Sequence, residues 1–128
     1  MTANSPFIPV FDGHNDTVLR YEREDGYDFF KRNDRGHIDL PRAKEVKLGG
    51  GFFACFIPSP RDESKSRPVL ADFKHKDGSF LMPFPAPITQ EYALGVTMSL
   101  IVHLYRMEKK SNGDFTIVHD HASLEPSI

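Results

Sequence analysis

The apolar pattern of the chain opens with a continuous run, Phe7-Ile8-Pro9-Val10-Phe11, rich in residues that suit a pleated, buried surface. Pro9 lacks a ladder donor and fits the start or edge of a sheet, so a first strand is predicted that ends in Phe11-Asp12-Gly13-His14-Asn15-Asp16. Thr17 to Arg23 mixes Val18, Leu19 and Tyr21 with charge and predicts a short helix. Residues 24–36 form a polar connection with turn chemistry at Asp25-Gly26, Asn33-Asp34 and Arg35-Gly36, anchored by Phe29 and Phe30. A short helix follows, with Pro41 in its first turn and Asp39 as its cap. Gly49-Gly50-Gly51 is expected to end that helix. It opens Phe52–Ile57, which is apolar on both faces and reads as a buried strand parallel to and beside the first.

The pattern then changes. Prolines among Ser, Lys, Asp and Arg mark residues 58–88 as a Pro-rich insertion or loop, with Lys74-His75-Lys76-Asp77-Gly78 as an exposed turn. Phe80, Leu81, Met82 and Phe84 are expected to pack down as a lid or rim element. Thr89 caps the clearest helix, about 90–111, with Glu91 in its first turn, Lys109 and Lys110 in its last, and Asn112-Gly113 as the left-handed stop. Gly95, Ser99, His103, Arg106 and Lys110 make its small or polar face; Leu94, Met98, Leu100, Ile101, Leu104, Tyr105 and Met107 cover the rest. Residues 114–119 read as a short extended piece, and Ala122–Glu125 as the start of another helix.

Composition narrows the class. With 128 residues, 39% hydrophobic and 27% charged, the chain reads as a soluble globular protein. A formal charge of −2 gives no electrostatic case for nucleic acid or an anionic membrane. The N-terminal residues show no secretory signal, and no apolar run is long enough to span a bilayer. A single cysteine, Cys55, suits a reducing cytoplasm.

Candidate chemistry centres on His14 and Asp16. Two residues apart at a strand end, they share a face, and a neutral ring nitrogen with a hard anionic oxygen suits zinc. His37-x-Asp39 repeats the spacing, but Asp39 is better read as a helix cap. His119-Asp120-His121 offers another ligand-like spacing. Its place between two helices, far along the chain from the strand-one corner, argues against a shared metal site. The three glycines lack the Gly-Lys-Ser/Thr that a phosphate cradle needs. Cys55 has no basic neighbour and reads as a small core hydrophobe.

Three stretches in one order, Phe-Asp-Gly-His-Asn-Asp-Thr at 11–17, Gly-His-Ile-Asp-Leu-Pro-Arg at 36–42 and Gly-Gly-Gly-Phe-Phe-Ala-Cys-Phe-Ile-Pro at 49–58, resemble the membrane dipeptidase (renal dipeptidase-like) family of zinc peptidases, especially its soluble bacterial members. The resemblance is strongest over residues 8–60 and stays colinear from Ile88 to Glu125. It implies an α/β chain that forms the N-terminal part of a (β/α)8 TIM-type barrel, a fold of about 250 residues, with residues 1–128 as one segment of a single catalytic domain. It also implies zinc-dependent hydrolysis of dipeptides through a metal-bridging hydroxide, with two zinc ions per complete site. Of the family's ligands, His14 and Asp16 have counterparts here. The bridging Glu, the remaining His ligands, the catalytic residues and the substrate-binding residues are expected beyond residue 128. Many relatives carry Trp and Tyr where Phe53 and Phe56 stand. The expected partner is a dipeptide, with no nucleic acid or membrane and a homo-oligomer left open. Two other readings stand beside this one: a different metal-dependent amidohydrolase on the same barrel, or a non-catalytic truncated or interaction fragment.

Overall fold

A computed structural model describes residues 9–60, 70–81 and 86–124. Two strands, β1 (Val10–Asn15) and β2 (Leu48–Phe53), pair in parallel as a two-stranded sheet among the described residues. Between them run a 3-10 turn at Thr17–Leu19, a short helix α1 (Arg20–Arg23), a polar connection and a second short helix α2 (Leu40–Glu45). A 3-10 turn at Leu70–Phe73, the long helix α3 (Gln90–Ser111) and a final turn of helix α4 (His121–Leu124) complete the order.

The predicted strand pair is parallel, as a helical crossover requires, but β2 begins before the apolar run and ends at Phe53, so of the expected Phe52–Ile57 only Phe52 and Phe53 are strand. The three glycines lie inside the strand and do not end α2. The chain reverses instead at Lys47, whose φ of 51° places a non-glycine residue in the left-handed region. Close approach of β1 accounts for Gly50 and Gly51. A Cβ on Gly50 would meet the Phe11 ring at 2.8 Å, and one on Gly51 would meet Asp12 Cβ at 3.0 Å. Register runs Val10 to Leu48, Phe11 to Gly50, Asp12 to Gly51 and Asn15 to Phe53, with irregularities after Val10 and after Asp12. Phe53 and Cys55 are half-buried, whereas Phe52 and Phe56 are exposed, so the run is not covered on both faces as expected.

The helix ends follow their local signals. Thr89 Oγ1 accepts from Tyr92 N, and Asn112 closes α3 with φ 54°. Asp39 caps α2 by accepting from Arg42 N. The connection before α2 turns at Gly26 and Gly36, both at positive φ. Asn33 Nδ2 donates to Asp28 O and Lys31 O, so the stretch satisfies its own carbonyls.

Two apolar clusters hold the elements together. In one, Val18 and Leu19 are buried against Leu100, with Val96, Leu104, Tyr21 and Cys55 around them. Val96, Leu100 and Leu104 share one face of α3 by their four-residue spacing; Leu100 is fully buried, which stabilises by about 1.5–3 kcal/mol, while Val96 and Leu104 are partly buried beside it. In the other, Phe29 is buried and meets Phe30, Phe53 and Phe115 edge to face, at centroid distances of 5.6, 6.4 and 5.7 Å. Phe29 is thus the anchor predicted for the polar connection. The polar face of α3 also docks: Ser99 Oγ donates to Glu22, and His103 stacks on Tyr21 at 4.4 Å. Leu94, Met98, Val102 and Tyr105, on another face, are exposed.

Within the Pro-rich insertion, residues 74–80 close a small hairpin. Lys74 bridges Phe80, Gly78 takes φ 86°, and Asp77 accepts from Ser79 N. Phe80 and Leu81 are 53% and 66% exposed, so the packing expected of them is not made. Met82 and Phe84 lie outside the described residues. Residues 114–119 form no strand, and the helix expected from Ala122 begins at His121.

Candidate metal centre

The site is built where β1 ends. Asp16 leaves the strand with φ −101° and ψ 25°, and its carbonyl accepts from Leu19 N to start the 3-10 turn. Buried Thr17, Val18 and Leu19 pull that turn into the body, which leaves His14 and Asp16 at the surface of the corner. Asn15 fixes the backbone between them. Its Nδ2 donates to Asp12 Oδ2 at 2.8 Å, its Oδ1 accepts from Thr17 N at 3.1 Å, and its carbonyl accepts from Ala54 N at 2.8 Å. The corner is therefore tied to itself and to the end of β2.

His14 Nε2 and Asp16 Oδ1 converge to 3.6 Å, and both side chains are exposed. Two ligand atoms held about 2.0–2.1 Å from a zinc ion in tetrahedral geometry lie about 3.4 Å apart. The observed pair fits that spacing, and its mixture of imidazole nitrogen and carboxylate oxygen fits zinc chemistry. Among the described residues no group of three or more His, Cys, Asp or Glu side chains is placed to hold a metal ion.

Two adjoining clefts meet at this pair. The first, of about 530 Å³, is lined by His14, Asp16, Leu19 and Arg23 on the β1 side and by Ala54, Cys55 and Phe56 just past β2. The second, of about 450 Å³, shares His14, Asp16, Leu19 and Arg23 and extends to Asp12, Asn15, Arg20, Glu24, Gly36 and His37. The walls of the first cleft thus come from the C-terminal ends of two adjacent parallel strands. Active sites of parallel α/β barrels lie at that end.

The other sequence candidates separate. His37 is exposed on the wall of the second cleft, whereas Asp39 is buried under α2. Asp39 accepts from Arg42 N and Asn33 N at 3.0 Å and from Arg42 Nε at 2.8 Å, and these bonds together outweigh the opposing effect of burial and hold its carboxyl at about 2. It is structural. His119 and His121 are exposed and line neither cleft, and His119 stacks loosely on Tyr105 at 6.3 Å. Burial pushes the Cys55 thiol up, which favours the neutral thiol over a nucleophilic thiolate.

Two arginines in the clefts escaped the sequence reading. Arg20 lies over the Tyr27 ring at 4.2 Å and donates to both Glu24 oxygens, at 3.1 and 2.8 Å. That bond lowers the Glu24 carboxyl, while burial pushes the Tyr27 phenol up to about 12. Arg23 closes α1 and is exposed on the wall of both clefts. The available signal was spacing: Leu19 and Arg23, four apart just after Asp16, share one side of the helical turn.

A solved structure described as a metallo peptidase from Rhodobacter sphaeroides liganded with a phosphinate mimic of the dipeptide L-Ala-D-Ala superposes with a TM-score of 0.76 at 35% identity. The match covers 94% of this chain and 34% of that one, so the chain spans about a third of its structural relative. A protein of Acinetobacter calcoaceticus, described as an uncharacterized protein in PQQ-III 3'region, is 46% identical over 55 residues, 40% of this chain and 18% of that protein. The sequence model of the membrane dipeptidase family, peptidase family M19, matches residues 5–127. The chain belongs to that family of hydrolases.

Proposed function

We propose that residues 1–128 form the N-terminal part of a zinc-dependent dipeptidase barrel, in which His14 and Asp16 are ligands to one of two metal ions. The observation that carries this reading is the 3.6 Å convergence of His14 Nε2 and Asp16 Oδ1 at the C-terminal end of β1. A dipeptide is the substrate class, supported by family membership and by the dipeptide mimic held in the structural relative. A metal bound at such a site supplies activation of water and polarisation of the scissile carbonyl.

The chain's own contribution is placement. Asn15, bonded to Asp12, Thr17 and Ala54, holds the backbone between the two ligands, so neither has to be ordered when metal binds. Leu19, Ala54 and Phe56 form an apolar wall beside the ligand pair. That wall seats the aliphatic part of a small peptide and excludes bulk water from the carbonyl. His14 supplies its Nε2 lone pair and so acts as the neutral imidazole, protonated on Nδ1. A catalytic zinc takes three protein ligands as a rule, and the described residues bring two together. The 128-residue chain by itself therefore does not hydrolyse dipeptides. A free thiol at Cys55 supports a reducing compartment, the cytoplasm, and among the described residues no helix is long and apolar enough to cross a membrane.

The test is metal analysis of a full-length enzyme carrying this segment. His14→Ala or Asp16→Ala should each remove about one equivalent of metal per chain and abolish dipeptide turnover. Full metal content with normal turnover in either variant would refute the assignment.

A further inference from the structure

The end of α3 carries chemistry that the candidate metal centre does not use. Among Asn4, Asn15, Asn33 and Asn112, only Asn112 precedes a glycine. Asparagine is thermolabile, because its amide carbon lies within reach of the next residue's backbone nitrogen. A following glycine leaves that nitrogen uncrowded, since it carries no Cβ. The side chains of Asn15 and Asn33 are tied by hydrogen bonds to Asp12, Thr17, Asp28 and Lys31. Asn112 and Gly113 instead sit exposed at the helix stop.

The conformation of the stop decides when that chemistry can run. Asn112 takes φ 54° and ψ 35°, and Gly113 takes φ 96°. At that ψ, Gly113 N is turned to the opposite side of the backbone from Asn112 Cβ, so the nitrogen and Asn112 Cγ cannot close a ring. Gly113 N–H is also held, donating to Ser111 Oγ at 3.3 Å. Ser111 is buried, with its hydroxyl 2.8 Å from Glu108 O and 2.9 Å from Phe115 O. Each of these contacts spans four residues or fewer, so the stop is built by this stretch of chain itself.

We propose that Asn112 is a site of spontaneous deamidation that reacts when the end of α3 frays. In the frayed chain Gly113 N loses its proton to water and attacks Asn112 Cγ. The Cγ–Nδ2 bond breaks, Nδ2 takes up a proton and leaves as ammonia, and a five-membered succinimide remains. Water adds to one of the two ring carbonyls and breaks its bond to nitrogen, which leaves an aspartyl or an isoaspartyl linkage. Water is the only co-reactant. Either product places a carboxylate at the C-terminal end of a helix, where the macrodipole favours cations such as Lys109 and Lys110. The isoaspartyl form also adds a methylene to the backbone at the left-handed residue and so removes the stop. Buried Met107 and Ser111 lie next to it and lose their anchor.

The experiment incubates a full-length enzyme carrying this segment, and a synthetic peptide of residues 108–117, in the same neutral buffer. Conversion is read by mass spectrometry of the tryptic peptide that starts at Ser111, in which Asn112 is the one asparagine as far as Ile128. Fragment ions separate the aspartyl from the isoaspartyl product. The folded enzyme should convert at Asn112 about tenfold more slowly than the peptide, as a helix end that opens at a cost of about 1.4 kcal/mol would. Asn15 and Asn33 should stay intact over the same period. Ser111→Ala, which frees Gly113 N–H, should react about fivefold faster than wild type. Urea below the unfolding transition should speed wild type in the same direction without any substitution. Full conversion of the peptide with none in the enzyme, or conversion at Asn15 or Asn33 as fast as at Asn112, would overturn the site. Equal rates in peptide and enzyme, or a rate unmoved by both Ser111→Ala and urea, would overturn its control by the helix stop.

Discussion

Replacing Asp39 with alanine should be the most damaging single polar change outside the His14–Asp16 corner. Its side chain is wholly buried and joins two stretches of chain that would otherwise part: Asn33 N in the polar connection and Arg42 in α2. Loss of a helix cap costs about 1 kcal/mol. Leaving the Asn33 N–H and the Arg42 guanidinium without their acceptor adds about 1–3 kcal/mol. A total near 2–4 kcal/mol is therefore expected in urea unfolding of the 128-residue chain followed by far-UV circular dichroism. The pH dependence is an independent check. The folded carboxyl sits at about 2, below an unfolded value of about 3.9, so the folded state favours the ionised form. Its contribution is complete above the unfolded value and is lost as pH falls toward 2. That gap corresponds to at most about 2–3 kcal/mol, reduced because Arg42 is partly exposed and water screens the pair. Wild type and Asp39→Ala should accordingly differ most above pH 4 and converge toward pH 2. A variant within about 0.5 kcal/mol of wild type at pH 7, or an undiminished difference at pH 2, would refute the reasoning. Asp39→Asn keeps one acceptor oxygen and should fall between the two.

His119→Ala with His121→Ala in a full-length enzyme should leave metal content and dipeptide turnover nearly intact, since both rings stand outside the clefts; loss of one metal equivalent would show that the His-x-His motif is a ligand pair after all. Purified 128-residue chain incubated with zinc should release no amino acids from dipeptides. Turnover abolished by a chelator and restored by zinc would contradict the two-ligand argument and point to His37, His119 or His121 as a recruited ligand.

The parts of the fold legible in the sequence are those set by neighbours within one helical turn. Thr89, Glu91, Lys109, Lys110 and Asn112 fix the ends of α3, and Asp39 fixes the start of α2, because capping is chemistry between residues three or four apart. The glycine run was misread for the opposite reason. Glycine before an apolar stretch looks locally like a turn, but Gly50 and Gly51 are small because Phe11 and Asp12 of another strand press on them. Nothing within the run itself records that contact. With the glycines committed to pairing, the stop after α2 fell to Lys47, a residue with no propensity that announces a left-handed turn.

The same division explains the site. His14 and Asp16 were readable because a strand end places residues two apart on one side, and the structure brings them to 3.6 Å even though Asp16 has already left the strand. The cleft wall was not readable, because it depends on where Ala54, Cys55 and Phe56 arrive after β2 has paired with β1. Asn15 touches both features: its backbone carbonyl accepts from Ala54 N just past β2, while its side chain bonds Asp12 and Thr17 at the corner. One residue between His14 and Asp16 thus links strand register to the geometry of the pair. A change that slips β2 by one position would move Phe56 and Cys55 off the cleft wall and loosen His14 and Asp16 together, which makes the sheet register part of the proposed metal site.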